Sequence, residues 1–277
     1  MLERTDGNPF FMEELVQALF DEGVLVRNGA VKVTKSLSQL KIPPTVQGIL
    51  AARIDRLSVA EKELLQTLAV IGNEFSLEVV RRLTEKPTDE LDQILADLQL
   101  AEFIYEQPVV GDIEYTFKHA LTQEVAYNSV LLERRKLLHQ RAGAAIEAIY
   151  ATRLEDHLGD LARHYQRSGN SGKALEYLQR AGERALARSS HAEAVGLLTS
   201  ALEFLKTLPE TPALMQRELA LQVNLSSALM AVKGWSTSEV GQAWGRASEL
   251  CSQVGSAPQL FGVLAALAGF YLVSASG

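Results

Sequence analysis

Hydrophobic positions recur along the chain in different rhythms, and each change of rhythm marks a change of element. Residues 1–20 follow the spacing of one amphipathic helix, with Asn8 as N-cap, Pro9 at the first helical position, and Glu13 and Glu14 near the positive end of the helix dipole. From Asp21 the period shortens to two. Val24-Leu25-Val26, an Asn28-Gly29 turn and Val31-Lys32-Val33 predict a small β-hairpin. Pro43-Pro44 then interrupts the chain before the helical period returns at Thr45.

From Thr45 to about Tyr105 the apolar positions Ile49, Leu50, Ile54, Leu57, Leu64, Leu65, Leu68 and Ile71 lie at helical spacing, and Asp89 opens a further amphipathic segment. Gly72 and the caps Ser76 and Thr88 divide this stretch. Phe103-Ile104-Tyr105 and Tyr115-Thr116-Phe117 read as two strands around a turn near Gly111-Asp112, and Leu121 resumes a helix. Three helices followed by a hairpin is the layout of a winged helix.

From roughly Glu155 the chain is helical, alanine-rich and punctuated by Gly169, Pro209, Pro212, Gly234, Gly255 and Pro258. Lys173-Ala174-Leu175-Glu176-Tyr177-Leu178 and Glu193-Ala194-Val195-Gly196-Leu197-Leu198 lead at the same spacing into Ala181 and Ala201. Small residues so placed let helices approach closely, as in tetratricopeptide arrays. The offset between the two matches is shorter than the usual period of about 34 residues, so the helix near Lys173 to Arg188 would serve two consecutive hairpins. The expected fold class is mainly α, arranged as a lid helix and β-hairpin over 1–44, a winged helix over 45–150 and a tetratricopeptide-like solenoid over 151–277.

Charge and composition narrow the chemistry. A net charge of -7 disfavours a nucleic acid or an anionic membrane as main partner. The third helix of the winged region carries Asp89, Glu90, Asp92 and Asp97 and no basic residue, so a groove-reading role is not expected. Glu133-Arg134-Arg135-Lys136 reads as a solvated face. The single cysteine, Cys251, excludes an internal disulfide and fits a reducing compartment. No secretory leader follows Met1, and the cytoplasm is the expected location. Gly255 to Gly277 carries no charge, but its apolar run is shorter than the roughly 20 residues a span needs, so a buried helix is expected there, with the natural protein continuing beyond it.

His139, His157, His164 and His191 lack metal-ligand spacing and read as ordinary surface or repeat residues. Trp235 and Trp244 read as anchors of repeat packing, with a partner-binding hot spot as the alternative. Ser189, Ser190 and His191 share one turn without a third orienting group, and no hydrolytic site is expected there.

Thr5-Asp6-Gly7-Asn8-Pro9-Phe10-Phe11-Met12-Glu13-Glu14-Leu15 resembles the lid helix of signalling ATPases of the STAND class. Thr45-Val46-Gln47, Ala51-Ala52-Arg53-Ile54-Asp55-Arg56-Leu57, Ala69-Val70-Ile71-Gly72, Phe117-Lys118-His119-Ala120-Leu121 and Gly234-Trp235 extend the likeness over nearly the whole chain. It is greatest for the ATPase and repeat region of large bacterial proteins that carry a class III adenylate or guanylate cyclase domain. LuxR-type transcription regulators have similar middles. The resemblance implies that Pro9 packs on the adenine of ATP or ADP and that the turn at Gly7 and Asn8 brings backbone to the nucleotide. It also implies that His119 contacts the β-phosphate of ADP, with Ala120 standing where the family has an aspartate. Helix capping by Asn8 and Pro9, and capping or packing by His119, are the alternatives. No Gly-x-x-x-x-Gly-Lys phosphate loop and no cyclase signature occurs in the chain. It is therefore expected to be non-enzymatic, to bind no cofactor unaided, and to work with an upstream ATPase core and a protein or small-molecule ligand on the repeats. A nucleotide-independent tetratricopeptide scaffold is the competing reading.

Overall fold

The computed structural model describes residues 9–21, 23–28, 30–34, 45–109, 112–235, 237–254 and 257–275. The protein is mainly α with small antiparallel sheets, and it divides into two compact units, Met1–Leu138 and His139–Gly277.

In the first unit, helix α1 (Pro9–Asp21) buries Phe11, Glu14, Leu15 and Leu19. The hairpin β1 (Leu25–Asn28) and β2 (Ala30–Val33) follows in the register Leu25↔Val33, as the alternation predicts. Helix α2 (Val46–Arg56) is capped by Thr45, whose hydroxyl accepts from the Gly48 N–H at 3.1 Å. Its Ile49 joins Phe11 and Leu15 in one apolar cluster. Helix α3 (Val59–Ile71) opens on a capping box between Ser58 and Glu61. Every residue from Leu64 to Ile71 is buried, which makes α3 the central helix of this unit.

Strand β3 (Glu74–Ser76), helix α4 (Leu77–Thr84), helix α5 (Thr88–Leu100) and strands β4 (Ile104–Val109) and β5 (Asp112–Phe117) come next. They form an antiparallel sheet in the order β3-β5-β4, with Phe75 opposite Tyr115 and Ile104 opposite Phe117. The sequence reading misses β3, because three residues are too few to show a two-residue period. Ser76 caps α4 as expected, accepting from the Val79 N–H. Thr88 does not cap α5. It is the first helical residue, and Pro87 at the cap position supplies no side-chain bond. Helix α6 (Ala120–Asn128) follows β5.

Helix α7 (Leu132–Ile149) contains the boundary between the units. That boundary precedes the 150/151 division expected from sequence, because the later turns of α7 carry Gly143 and Glu147, which pack within the second unit. A Cβ built on Gly143 would lie 2.9 Å from the Tyr165 ring. Glu147 accepts from the Lys173 ammonium at 2.5 and 2.7 Å and from the Tyr177 hydroxyl at 2.5 Å. Burial by itself would raise the Glu147 pKa, but the bonds from Lys173 and Tyr177 outweigh it and hold the carboxyl below its usual range.

After a 3-10 segment (Ala151–His157), the second unit is a succession of helices: α8 (Leu158–Ser168), α9 (Ser171–Ala187), α10 (His191–Leu205), α11 (Pro212–Lys233), α12 (Ser238–Val254) and α13 (Ala257–Ala275). Each packs on the next, and α9 touches both α8 and α10, so it serves two neighbours as its small-residue pattern predicts. Ala174, Ala185, Ala194 and Ala201 are fully buried at these contacts. Among the described residues no helix is long and apolar enough to cross a membrane.

Of the two readings open for these histidines, surface or repeat residue, His139 and His164 take the second: both are buried, with their Nδ1 atoms 2.9 Å apart. The Arg163 guanidinium, which can only donate, lies 3.1 Å from His164 Nε2, so that nitrogen accepts and His164 Nδ1 donates to His139. Of the tryptophans, Trp244 is buried as a packing anchor, whereas Trp235 is 48% exposed.

Helix α9 ends in a Schellman pair, the Ser189 N–H bonding to Leu186 C=O and the Ser190 N–H to Ala185 C=O. Ser189 takes the left-handed position at φ 60°, where glycine carries no Cβ penalty. Ser189→Gly is expected to raise the stability of the folded chain by about 0.5 kcal/mol, part of the roughly 1 kcal/mol Cβ penalty being offset by the more flexible unfolded chain. A urea titration in which the variant unfolds earlier than the parent would contradict this.

Candidate functional site

The start of α1 faces the end of β5 through Phe10 and His119. Strand β5 ends at Phe117, and the Lys118 N–H bonds to Phe103 C=O at 2.9 Å, holding this turn against the start of β4. His119 then occupies the N-cap position of α6 in extended conformation, and its carbonyl accepts from the Thr122 N–H at 2.9 Å. Its imidazole makes no capping bond. It is turned toward α1, where the Phe10 ring meets it edge-on at 4.3 Å between centroids and 61° between planes. Pro9, beside Phe10, is exposed at the first position of α1. Gly7 and Asn8 lie outside the described residues.

The His119 imidazole is partly exposed, but its Nε2 is buried and has no hydrogen-bond partner among the described residues. The nearest carboxylate, Glu13, stands 3.8 Å from it, beyond hydrogen-bonding distance. Glu13 is instead bound by Lys118 at 2.6 Å, and Lys118 also reaches Glu102 at 2.5 Å. The hydrogen bond from Lys118 holds the Glu13 carboxyl below its usual range. For Lys118 burial opposes the charge, but the bonds it donates to Glu102 and Glu13 prevail and raise its pKa. Both groups therefore remain charged throughout the neutral range. Because the Glu13 pKa is lowered on folding, its contribution to docking is complete above the ordinary value of 4.5 and is lost only as pH falls through the lowered one.

Beneath this exposed latch lies a second connection that the sequence reading misses. Glu13 and Glu14 are beyond the first turn of α1, so neither serves the helix dipole as expected; each pairs with a cation. Glu14 is buried against Arg53 of α2, which also donates to Asp21 at 2.9 Å and to Ala101 C=O at 2.7 Å and lies over the Phe103 ring at 4.7 Å. The available signal was register: Glu14 falls between Phe11, Leu15 and Ala18, and Arg53 between Ile49, Leu50 and Ile54, both on apolar stripes. Together the two connections fix the start of α1 beside His119, whose buried Nε2 has no hydrogen-bond partner among the described residues.

The basic cluster after α6 is occupied internally. Arg134 reaches Glu63 at 3.5 Å, Lys136 reaches Glu133 at 3.0 Å, and Arg135 stacks over Tyr127 at 4.2 Å.

No family model matches the chain. An uncharacterized protein of Rhizobium meliloti (strain 1021) is 28% identical over 240 residues, covering 85% of this chain and 22% of that protein. The chain thus spans about a fifth of that relative's length. Among solved structures, that of a Signal Transduction ATPase with Numerous Domains protein with a tetratricopeptide repeat sensor, from Pyrococcus horikoshii, aligns over 98% of this chain and 47% of its own, at 12% identity and a TM-score of 0.33.

Proposed function

We propose that this chain is the regulatory middle of a STAND-class signalling ATPase, with α1 as the end of the lid, α2 to α6 as a winged helix, and the second unit as a tetratricopeptide-like array that receives the signal. The observation that carries this reading is the meeting of Phe10 and His119. Phe10, which follows the turn that the family resemblance assigns to the nucleotide, adjoins His119, which the resemblance assigns to the same nucleotide, and His119 Nε2 has no hydrogen-bond partner among the described residues. The order of helices and hairpin, with β3 closing the sheet, suits a winged helix. ATP or ADP would be held between an upstream ATPase core, the turn at Gly7, Asn8 and Pro9, and His119. In such a switch, nucleotide favours a closed state, and a ligand on the array favours an open one to the extent that it binds the two states differently. A cytoplasmic location and an adenylate or guanylate cyclase output belong to the same proposal. The chain itself contributes recognition and no catalytic group.

The chemistry at His119 is that of a donor. A protonated Nε2 aimed at a phosphate oxygen makes a charge-assisted bond. In the protein carrying the ATPase core, His119→Ala is expected to weaken ADP binding about tenfold and raise basal output, the size of one such bond. Calorimetric titration of ADP near pH 7, where Glu13 and Lys118 stay paired, makes the comparison. Affinity unchanged within about twofold would remove His119 from the switch and restore the nucleotide-independent scaffold.

A further inference from the structure

The His119 imidazole is partly exposed, yet its Nε2 is buried. A phosphate oxygen bonded to that nitrogen would stand about 2.7–2.9 Å from it, so a neighbouring group has to give way first. Glu13 of α1 is the group in place. Its Oε2 lies 3.8 Å from His119 Nε2, while its Oε1 is held by Lys118 at 2.6 Å. A phosphate at Nε2 would meet this carboxylate as a like charge at close range, where repulsion is strongest. Three features make Glu13 movable. Its side chain is half-exposed and can turn into water without losing hydration. Lys118 keeps Glu102 at 2.5 Å when Glu13 leaves, so no mostly buried cation is stranded. Glu14, buried against Arg53, holds α1 by a separate connection. Phe10, one turn before Glu13, already lies edge-on to the imidazole, so one face of α1 carries both contacts.

We infer that Glu13 competes with phosphate for His119: its carboxylate stands in for the anion and has to swing away from Nε2 before a nucleotide phosphate can bond there. The inference rests on the proposed contact between His119 and ADP and adds its regulation. With Glu13 in place, Lys118 ties α1 to the turn before α6. With phosphate in place, the imidazole donates to the phosphate, and Lys118, relieved of Glu13, has a donor to turn toward the same anion. Exchanging one anion for another holds ADP affinity below that of an unopposed His119, which keeps the switch able to reset.

The test is calorimetric titration of the protein carrying the ATPase core with ADP and with adenosine, which has no phosphate. Glu13→Gln keeps the shape of the side chain and an acceptor for Lys118 but removes the charge. It is expected to bind ADP about tenfold more tightly than the parent and adenosine within about twofold. Glu102→Gln, which removes the same charge from the other partner of Lys118, should leave ADP within about twofold. Glu13→Ser, too short to reach the imidazole, gives the same comparison if Glu13→Gln does not fold. ADP affinity unchanged or weakened in Glu13→Gln overturns the inference. So does an equal gain for adenosine, which marks a change in lid docking, or an equal gain in Glu102→Gln, which marks net charge alone. If His119→Ala weakens ADP while Glu13→Gln does not tighten it, the switch stands and only the competition fails. If His119→Ala leaves ADP affinity unchanged, both readings fall.

Discussion

Arg53→Met is expected to destabilise the first unit by about 3–5 kcal/mol, a large share of a domain's stability. The arginine is 3% exposed and its guanidinium fork is filled from three directions: Glu14, Asp21 and the Ala101 carbonyl, with Phe103 against its face. Methionine preserves much of the volume but leaves Glu14, itself 2% exposed, without its cation. Stranding a buried carboxylate costs more than the hydrogen bonds themselves, because the charge was desolvated on the strength of its partner. Lysine would not substitute well, since a single ammonium cannot meet three acceptors in one plane. Arg53→Met combined with Glu14→Leu should recover most of the loss, because a buried ion pair exchanged for apolar groups of similar size is close to neutral. Both tryptophans, Trp235 and Trp244, lie in the second unit, so unfolding should be followed by circular dichroism as well as fluorescence. A loss under about 1 kcal/mol, or a double variant no better than Arg53→Met, would mean that Arg53 does not hold α1 in place.

What was legible in the sequence was what local physics dictates. The period-two run around Asn28-Gly29 and the helical spacing of Leu64, Leu65, Leu68 and Ile71 each name their element, and Ser76 caps its helix as read, whereas Thr88 does not. Pairings across distance were not legible. His139 and His164 sit on different helices, and an isolated histidine in an alanine-rich helix looks the same whether it faces water or a second imidazole. Glu14 and Arg53 could have been suspected from their apolar registers, but charge on such a stripe names no partner. His119 was singled out by family resemblance, and no composition or spacing argument would have chosen it. The structure adds its neighbour, Phe10, and its unpartnered nitrogen.

Two glycine-to-alanine changes in one helix pair should act with opposite sign. Alanine gains up to about 1 kcal/mol over glycine within a helix, so Gly196→Ala, exposed on α10 with no heavy atom within 4 Å of the added Cβ, should stabilise the second unit by nearly that amount. At Gly182 on α9 the same gain meets an obstacle. The added Cβ would lie 2.7 Å from Leu198 Cδ2 and 2.8 Å from its Cγ, and Leu198 is fully buried. Cγ moves only if the whole side chain changes rotamer, and overpacking of this kind costs about 1–3 kcal/mol. The clash should therefore outweigh propensity, and Gly182→Ala should destabilise by about 1–2 kcal/mol. Leu198→Ala added to Gly182→Ala should show favourable coupling, the combined loss being smaller than the sum of the two single losses. Denaturation followed by Trp244 fluorescence measures all four variants. If both glycine variants stabilise alike, α9 and α10 do not approach as closely as described. If their signs differ, Gly182 sets the spacing of α9 and α10, and with it the packing of successive helices that a repeat array presents to its ligand.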